Sequence, residues 1–408
     1  MKITRTIVTA LLLGPLAARF RRAVAGGVLL LLISAAGYGE TPPPAQQIRL
    51  GPLTMIYDAP ETPIRYDGSL SPLRRDGEMY FFHSFGCRNN KISSHTWHKG
   101  TIRALFEVKI SDRKERETWN YNGFYGNLPV KGIWILGIYK CPNGDLLGIT
   151  HAELNSLKKG ETRIDDANQR YALGLGYSTD NGLHWTYCGE IVRPGDDRCN
   201  IGGGAYIIRD EYIYVYFNDT QAYTGKWDGS RVQCVARARL ADVLETASRH
   251  KVTLWHKYRD GKWDTPGLSG KAGSDIIPNI TGREDMHVHA AYCIALKKYL
   301  MTVHAQGKRM LFLLSSPDGL QWSKEAILDH AEQHCLQAYS TFVDFDGPSD
   351  DSHTVDGDFY ITWPRLGSGG EHSSAVYQRR ITIEAAPISA RPADTVPGPG
   401  RKENPIQK

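Results

Sequence analysis

The stretch Tyr177-Ser178-Thr179-Asp180-Asn181-Gly182-Leu183-His184-Trp185 lies between an alternating run, Tyr171–Gly176, and a strand-like segment, Thr186–Val192. Its residue types are those of a tight turn. Asp180 and Asn181 have short side chains able to bond their own backbone, and Gly182 accepts a positive φ without a steric penalty. Trp185 then returns apolar surface to the sheet that Tyr177 has just left. The stretch is read as a hairpin turn joining two antiparallel strands, and a second copy is sought at Ser315-Ser316-Pro317-Asp318-Gly319-Leu320-Gln321-Trp322. Counted back from Trp322, that copy is degenerate: Pro317 stands where the aspartate belongs and Asp318 comes one residue late.

With Ser178, Asp180, Gly182 and Trp185 in place, the first turn resembles the Asp-box of sialidases, Ser-x-Asp-x-Gly-x-x-Trp. Such turns belong to propeller blades and lie away from the chemistry, so they argue for a fold and not for an activity.

Working outward, one pattern recurs: a strand, a glycine-bearing turn, an aromatic-rich second strand, and a third strand. The second strands are Glu78–His83, Asp145–His151, Glu211–Phe217, Lys298–His304 and Asp358–Trp363. Their starts recur at intervals of roughly 60 to 90 residues, the mark of a repeat architecture. Innermost strands are expected at Asp67–Leu73, Gly132–Lys140, Asn200–Ile208, Met286–Leu296 and Leu336–Phe345. Third strands are expected at Thr101–Ile110, Tyr171–Tyr177, Gln233–Leu240, Met310–Leu314 and Ser374–Ile383. The expected fold is all-β: a five-bladed β-propeller of four-stranded antiparallel blades, closed by the N-terminal strand Ile48–Tyr57, which removes an exposed sheet edge. The insertion Ala241–Arg283 reads as a short helical piece, an outer strand and a long loop.

Composition agrees. Glycine (41 residues) and tyrosine (21) are abundant in the 408 residues, as turn-rich β structure requires. The formal charge of +5 is small, and no Lys/Arg block alternates with aromatics, which excludes nucleic acid as a partner. The apolar run Ala23–Ala36 follows Lys2, Arg5, Arg19, Arg21 and Arg22, so residues 1–39 are expected to be a cleaved export signal. Residues 40–47 form a spacer, 48–384 the propeller and 385–408 a disordered tail. The product is expected to be a monomer in the periplasm or outside the cell, with no membrane partner beyond export. Seven scattered cysteines show no metal-ligand spacing, and Cys188 with Cys199 is the nearest candidate disulfide pair.

In a propeller, inner strands begin and second strands end on one face. That face is expected to gather Asp67, Trp134, Asn200, Glu284, Asp285, His287 and Gln337 with His83, His151, Glu153, Asn218, Asp219, His304, Gln306 and Arg365. Such a ring suits glycoside hydrolysis, which needs one protonated carboxylic acid at the leaving oxygen and one ionised carboxylate across the sugar. Asp67 is the candidate nucleophile or base. Glu153, Asp219, Glu284 and Asp285 compete for the acid. His83, His151 and His304 sit at matching strand ends, where imidazoles can bond sugar hydroxyls. With them, Trp134, Asn200, Glu284, His287 and Arg365 are the candidate substrate-binding residues. The run Asn200-Ile201-Gly202-Gly203-Gly204 is read as a strand crowding the axis.

Taken with the repeats, the chain resembles the five-bladed propeller glycoside hydrolases of the arabinanase and invertase type, over about Ile48 to Ile383. The resemblance implies an acidic residue at the first inner strand, often as Asp-Pro, and a glutamate acid from a later blade. Here Ser71-Pro72 stands where Asp-Pro would be, and Asp67 lies four positions earlier. A carbohydrate substrate and no required cofactor follow, with room at the axis for a structural calcium and no catalytic metal. Three alternatives remain. One is a propeller that only binds glycans or proteins. Another is a sialidase-like exo-glycosidase, whose arginine clamp would draw on Arg65, Arg103 and Arg365. The third is a phosphodiester or sulfate-ester enzyme needing a metal, for which ligand clustering is thin.

Overall fold

In the computed structural model of the chain, the described residues are 46–59, 64–66, 68–87, 93–100, 130–155, 169–196, 199–220, 231–278, 287–305, 309–331, 335, 337–366 and 374–385. All lie in one unit, Pro44–Lys408. Strands β1 (Gln46–Leu50), β2 (Thr54–Ala59), β3 (Ile64–Tyr66), β4 (Ser71–Arg75), β5 (Glu78–Cys87) and β6 (Ser93–Lys99) come first. The latter four form the first sheet, in which β3, β4 and β6 all pair with β5. The second sheet runs β10-β9-β8-β7 and contains β7 (Val130–Lys140), β8 (Leu146–Asn155), β9 (Gln169–Ser178) and β10 (Thr186–Val192).

The third sheet holds β11 (Gly202–Arg209), β12 (Tyr212–Thr220) and β13 (Arg231–Arg239). Helix α1 (Leu240–Ala247) follows, and β14 (His256–Arg259) and β15 (Lys262–Pro266) complete that sheet. The fourth contains β16 (His289–Cys293), β17 (Lys298–Ala305), β18 (Met310–Ser316) and β19 (Ser323–His330). After β20 (Thr341–Val343), the short β21 (Thr354–Val355) joins the fourth sheet in parallel beside β16. The fifth sheet is β20, β22 (Asp358–Leu366) and β23 (Ser374–Ala385), with β1 and β2 on successive halves of β23.

The arrangement is nearly all-β and propeller-like. Innermost strands touch in the order β4, β7, β11, β16, β20. Leu70, just ahead of β4, donates its N–H to Thr341 Oγ1 on β20 at 3.0 Å, bringing first and last together. Apolar clusters fill the wedges between sheets, such as Ile213, Val215 and Phe217 of β12 against Leu173 and Leu175 of β9. Alternate residues of β12, Tyr214 and Tyr216, face the fourth sheet instead, so the strand is buried on both sides. The glycine run does what crowding demands: a Cβ on Gly204 would collide with Leu136 of β7, and Gly203 has φ +139°.

Several expectations need correction. Equal four-stranded blades are not found: four sheets carry an unbroken path of four or five strands, whereas the first has a path of three. That makes four full blades, not five. Thr101–Ile110, the expected third strand there, lies outside the described residues; β6 is the partner of β5 instead. The insertion after β13 holds a hairpin, β14–β15, rather than one outer strand and a loop. Cys188 and Cys199 do not pair; both are free thiols, as are Cys141, Cys234, Cys293 and Cys335.

The turn Tyr177–Trp185 joins β9 to β10. Ser178 Oγ donates to Asp180 Oδ1 at 2.8 Å and accepts the Gly182 N–H at 2.9 Å. The His184 N–H reaches Asp180 Oδ1 at 2.8 Å, and Trp185 Nε1 donates to Gly182 O at 3.1 Å. The second turn, between β18 and β19, is not degenerate in this respect. Ser316 rather than Ser315 takes the serine role: its Oγ meets Asp318 Oδ1 at 3.0 Å and accepts the Gly319 N–H at 2.8 Å. Trp322 Nε1 again donates to the glycine carbonyl, at 3.1 Å. Measured from the serine, one residue is missing between aspartate and glycine.

Each turn also clasps the preceding sheet. Trp185 packs edge-on to Phe82 of β5, and Arg75 at the end of β4 donates to Asn181 O. Trp322 packs edge-on to Tyr216 of β12, and Arg209 at the end of β11 donates to Asp318 O.

At the opposite end from the strand starts, the segment between β20 and β21 crosses the hub. Arg74 of β4 donates to Gly347 O and Phe345 O, and Lys140 of β7 reaches Asp350 Oδ2 at 2.7 Å. The Tyr206 hydroxyl of β11 is shared between Asp351 Oδ2 and Ile138 O, at 2.9 and 2.7 Å. His353 bonds Asp351 Oδ1, and its carbonyl accepts from Tyr292 N of β16. One connection is thereby bonded to every other sheet.

Candidate active site

Where the innermost strands begin, side chains from three sheets meet. Trp134 on β7 lies opposite His151 on β8 in the ladder, with ring centroids 5.7 Å apart. Strand alternation puts His151 and Glu153 on one face of β8, and Tyr171 of β9 pairs with Glu153 and stacks on His151 at 5.9 Å. His287, just before β16, meets His151 edge-on at 6.0 Å. Tyr339, just before β20, lies 4.5 Å from His287. All five rings are 6–8% exposed. Glu153 Oε1 stands 3.8 Å from His151 Nε2, the carboxylate side chain being 12% exposed.

Two buried polar atoms of this group, Trp134 Nε1 and His151 Nδ1, have no hydrogen-bond partner among the described residues. Buried donors and acceptors are normally satisfied, by protein, water or ligand. Flat rings with a polar edge, one of them beside a carboxylate, can stack on the C–H face of a sugar while bonding its hydroxyls.

The remaining candidates are distributed differently. Asn200 is buried ahead of β11, and Asn218 on β12 is buried opposite Gly202. Asp219 is fully enclosed: Oδ1 accepts the Gly195 N–H at 2.8 Å, and Oδ2 lies 3.5 Å from Lys257 Nζ, both side chains being 0% exposed. Lys257 of β14 also donates to the carbonyls of Arg193 and Lys271, at 2.6 and 2.8 Å. Burial raises the Asp219 carboxyl above the ordinary range and lowers the Lys257 amine, each partly offset by the other's charge.

Arg365, at the end of β22, makes a two-pronged pair with Asp329 of β19 and lies over the Tyr377 ring at 4.2 Å. Asp329 also accepts from Gln337 Nε2 at 2.6 Å and Trp363 Nε1 at 2.9 Å. Burial alone would raise the Asp329 carboxyl, but the hydrogen bonds from Arg365, Gln337 and Trp363 hold it below the ordinary range. His83 and His304 are buried at comparable places in β5 and β17, 0% and 1% exposed. Asp67, Glu284, Asp285 and Gln306 lie outside the described residues.

The structure thus gathers Trp134, His151, Glu153 and His287, which the sequence had singled out, and adds Tyr171 and Tyr339, which it had not. Tyr171 could have been found by counting two residues along the ladder from His151. Nothing in the sequence marks Tyr339. Among the described residues no group of three or more His, Cys, Asp or Glu is placed to hold a metal ion.

No protein-family model matches the chain, and no curated protein matches it. Several solved structures are similar in the course of the chain. A family 117 glycoside hydrolase from the marine bacterium Zobellia galactanivorans has a TM-score of 0.43 and 11% identity, over 84% of this chain and 91% of that one. An α-L-arabinofuranosidase from Podospora anserina, in complex with cellotriose, has a TM-score of 0.44 and 8% identity, over 82% and 96%. A protein of unknown function from Dyadobacter fermentans has a TM-score of 0.44 and 10% identity, over 83% and 99%. At these scores the similarity carries no statement about chemistry.

Proposed function

We propose that the protein is an exported glycoside hydrolase acting on a poly- or oligosaccharide through two carboxyl groups. Glu153 is one of them and Asp67 the other, with Asp285 and Glu284 next in line. The observation that supports this is the run of ring contacts that joins Trp134, Tyr171 and His287 to His151 and Tyr339 to His287, with Glu153 beside His151, at one end of the inner strands. In this reading the sheets are blades around one axis, with β1 and β2 sealing the last sheet against β23. Asp219 leaves the list of acids, because its carboxylate serves Lys257 inside the fold. Arg365 is likewise held by Asp329, which weighs against an arginine clamp for an acidic sugar. Residues 1–39 direct export. Glu153 and its partner then act as acid and base on opposite sides of the glycosidic bond, while the rings hold the sugar and exclude water from the flanking subsite.

The second reading is a propeller that binds glycans without cleaving them. It is favoured by Glu153 being the carboxylate that contacts the ring cluster among the described residues. Reducing ends released from a panel of plant, algal and bacterial polysaccharides separate the two. Hydrolysis by the wild type should fall about a thousandfold in Glu153→Gln and in Asp67→Asn, with glycan binding kept. Binding without any release of reducing ends would select the second reading, and full activity in both variants would remove both assignments.

A further inference from the structure

We infer that Tyr339 contacts the bound sugar and helps set which sugar is accepted, its ring presented by a backbone held in the left-handed region. This rests on the carbohydrate reading above. Tyr339 has φ +58°, a conformation that bulky side chains rarely adopt and that usually belongs to glycine or asparagine. Of the other non-glycine residues with positive φ among the described residues, Asp76, Asn181, Asp210, Asp260, Lys297 and Arg309 sit in connections between paired strands, while His250 follows α1 and Ser352 lies in the segment that crosses the hub. Tyr339 is in no hairpin. It is buried, it precedes an inner strand, and its ring lies 4.5 Å from His287 in the candidate site.

Both flanks of the strained residue are pinned. Gln337 Nε2 donates to Asp329 at 2.6 Å. Ser340 Oγ bonds Thr302 Oγ1 of β17 at 2.5 Å, and Thr341 Oγ1 bonds both N and O of Leu70. The chain therefore cannot relax at Tyr339 without breaking contacts to two other sheets. Strain that neighbours over-determine in this way concentrates at ligand-binding positions, because it fixes a side chain where relaxation would withdraw it. The ring also packs in the apolar cluster of Leu70, Met79, Phe81, Ala338 and Val343, and its contact with His287 carries it to the candidate site.

The test is calorimetric binding of cellotriose, xylotriose and arabinotriose, with melting temperatures measured alongside. Tyr339→Asn removes the ring and tolerates the left-handed backbone. Its affinity for whichever trisaccharide the wild type binds should drop about tenfold, from the loss of one stacked ring. Its melting temperature should fall, because a ring packed against Leu70, Met79, Phe81 and Val343 is lost and the lower backbone cost of asparagine offsets only part of that. Tyr339→Phe should stay within about threefold in affinity, since the stacking face is kept. Should Tyr339→Asn fail to fold, Tyr339→Leu serves the same comparison. Unchanged affinity in the ring-less variant, with or without a fall in melting temperature, would make Tyr339 a packing residue and overturn the inference. A wild type that binds none of the three and neither binds nor cleaves any polysaccharide of the panel above removes the carbohydrate reading, and this inference with it; one that acts on a panel polysaccharide is tested in the same way on trisaccharides cut from it.

Discussion

Asp180 and Asp318 each hold a turn by taking backbone N–H groups onto one carboxylate oxygen. Asp318 accepts from Leu320 and Gln321 at 2.9 and 2.8 Å, as Asp180 does from His184. In both, those hydrogen bonds bring the carboxyl below its ordinary range against the upward pull of burial. The aspartate of the second turn looks displaced when counted back from Trp322 and is in place when counted from Ser316, with one residue missing before Gly319. Asp318→Ala should therefore cost as much as Asp180→Ala, about 1–2 kcal/mol each in chemical denaturation. A negligible cost for Asp318→Ala alone would mean that the shortened turn holds by Trp322 packing. At this scale the sequence is legible wherever a residue's own neighbours dictate its conformation, as at Asn181-Gly182. It is silent at Tyr339, whose backbone is set by contacts to Leu70, Thr302 and Asp329.

Among elements, the second strands were readable from aromatic alternation: β5, β12, β17 and β22 begin within a residue of where the pattern put them. The hairpin β14–β15 was not, because its polar stretch His256–Pro266 carries too few apolar residues to show a period of two. Its function in the fold is ionic. Lys257 brings β14 onto Asp219 at the end of β12 and onto the carbonyls of Arg193 and Lys271, so one ammonium fixes three segments. No local pattern announces a pair 38 residues apart in sequence, so by sequence alone Asp219 competes with Glu153, Glu284 and Asp285 for the acid role. Lys257→Met should destabilise the protein by about 3–5 kcal/mol, because it leaves Asp219 buried without its counter-charge. Adding Asp219→Asn should restore a large part of that loss, measured as a double-mutant cycle by urea unfolding. Simple additivity would show that the two side chains act independently.

For the whole molecule, the repeat was legible and its completeness was not. Five second strands imply five similar sheets, yet the first has a shorter path than the others. The crossing at the hub was invisible too: the sequence puts Asp344 and Phe345 in an inner strand, and no periodicity in the residues up to His353 marks contacts with four other strands. Asp351 at its centre is 3% exposed in its side chain, and although burial pushes upward, His353 and Tyr206 hold its carboxyl below the ordinary range. A depressed folded-state pKa gives stability that is present above the unfolded value, about 3.9, and is lost as pH falls through the folded value. Asp351→Asn should thus melt lower than the wild type at pH 7, with the gap narrowing below about pH 4 as the wild-type carboxyl takes up its proton. A gap that stays constant down to pH 2 would assign the effect to packing.

Trp134 and Lys140 stand near opposite ends of β7, the first in the ring cluster and the second bonded to the crossing segment. Among the described residues the crossing thus acts as a floor: it ties the far ends of β4, β7, β11 and β16 to one another, on the side away from the ring cluster.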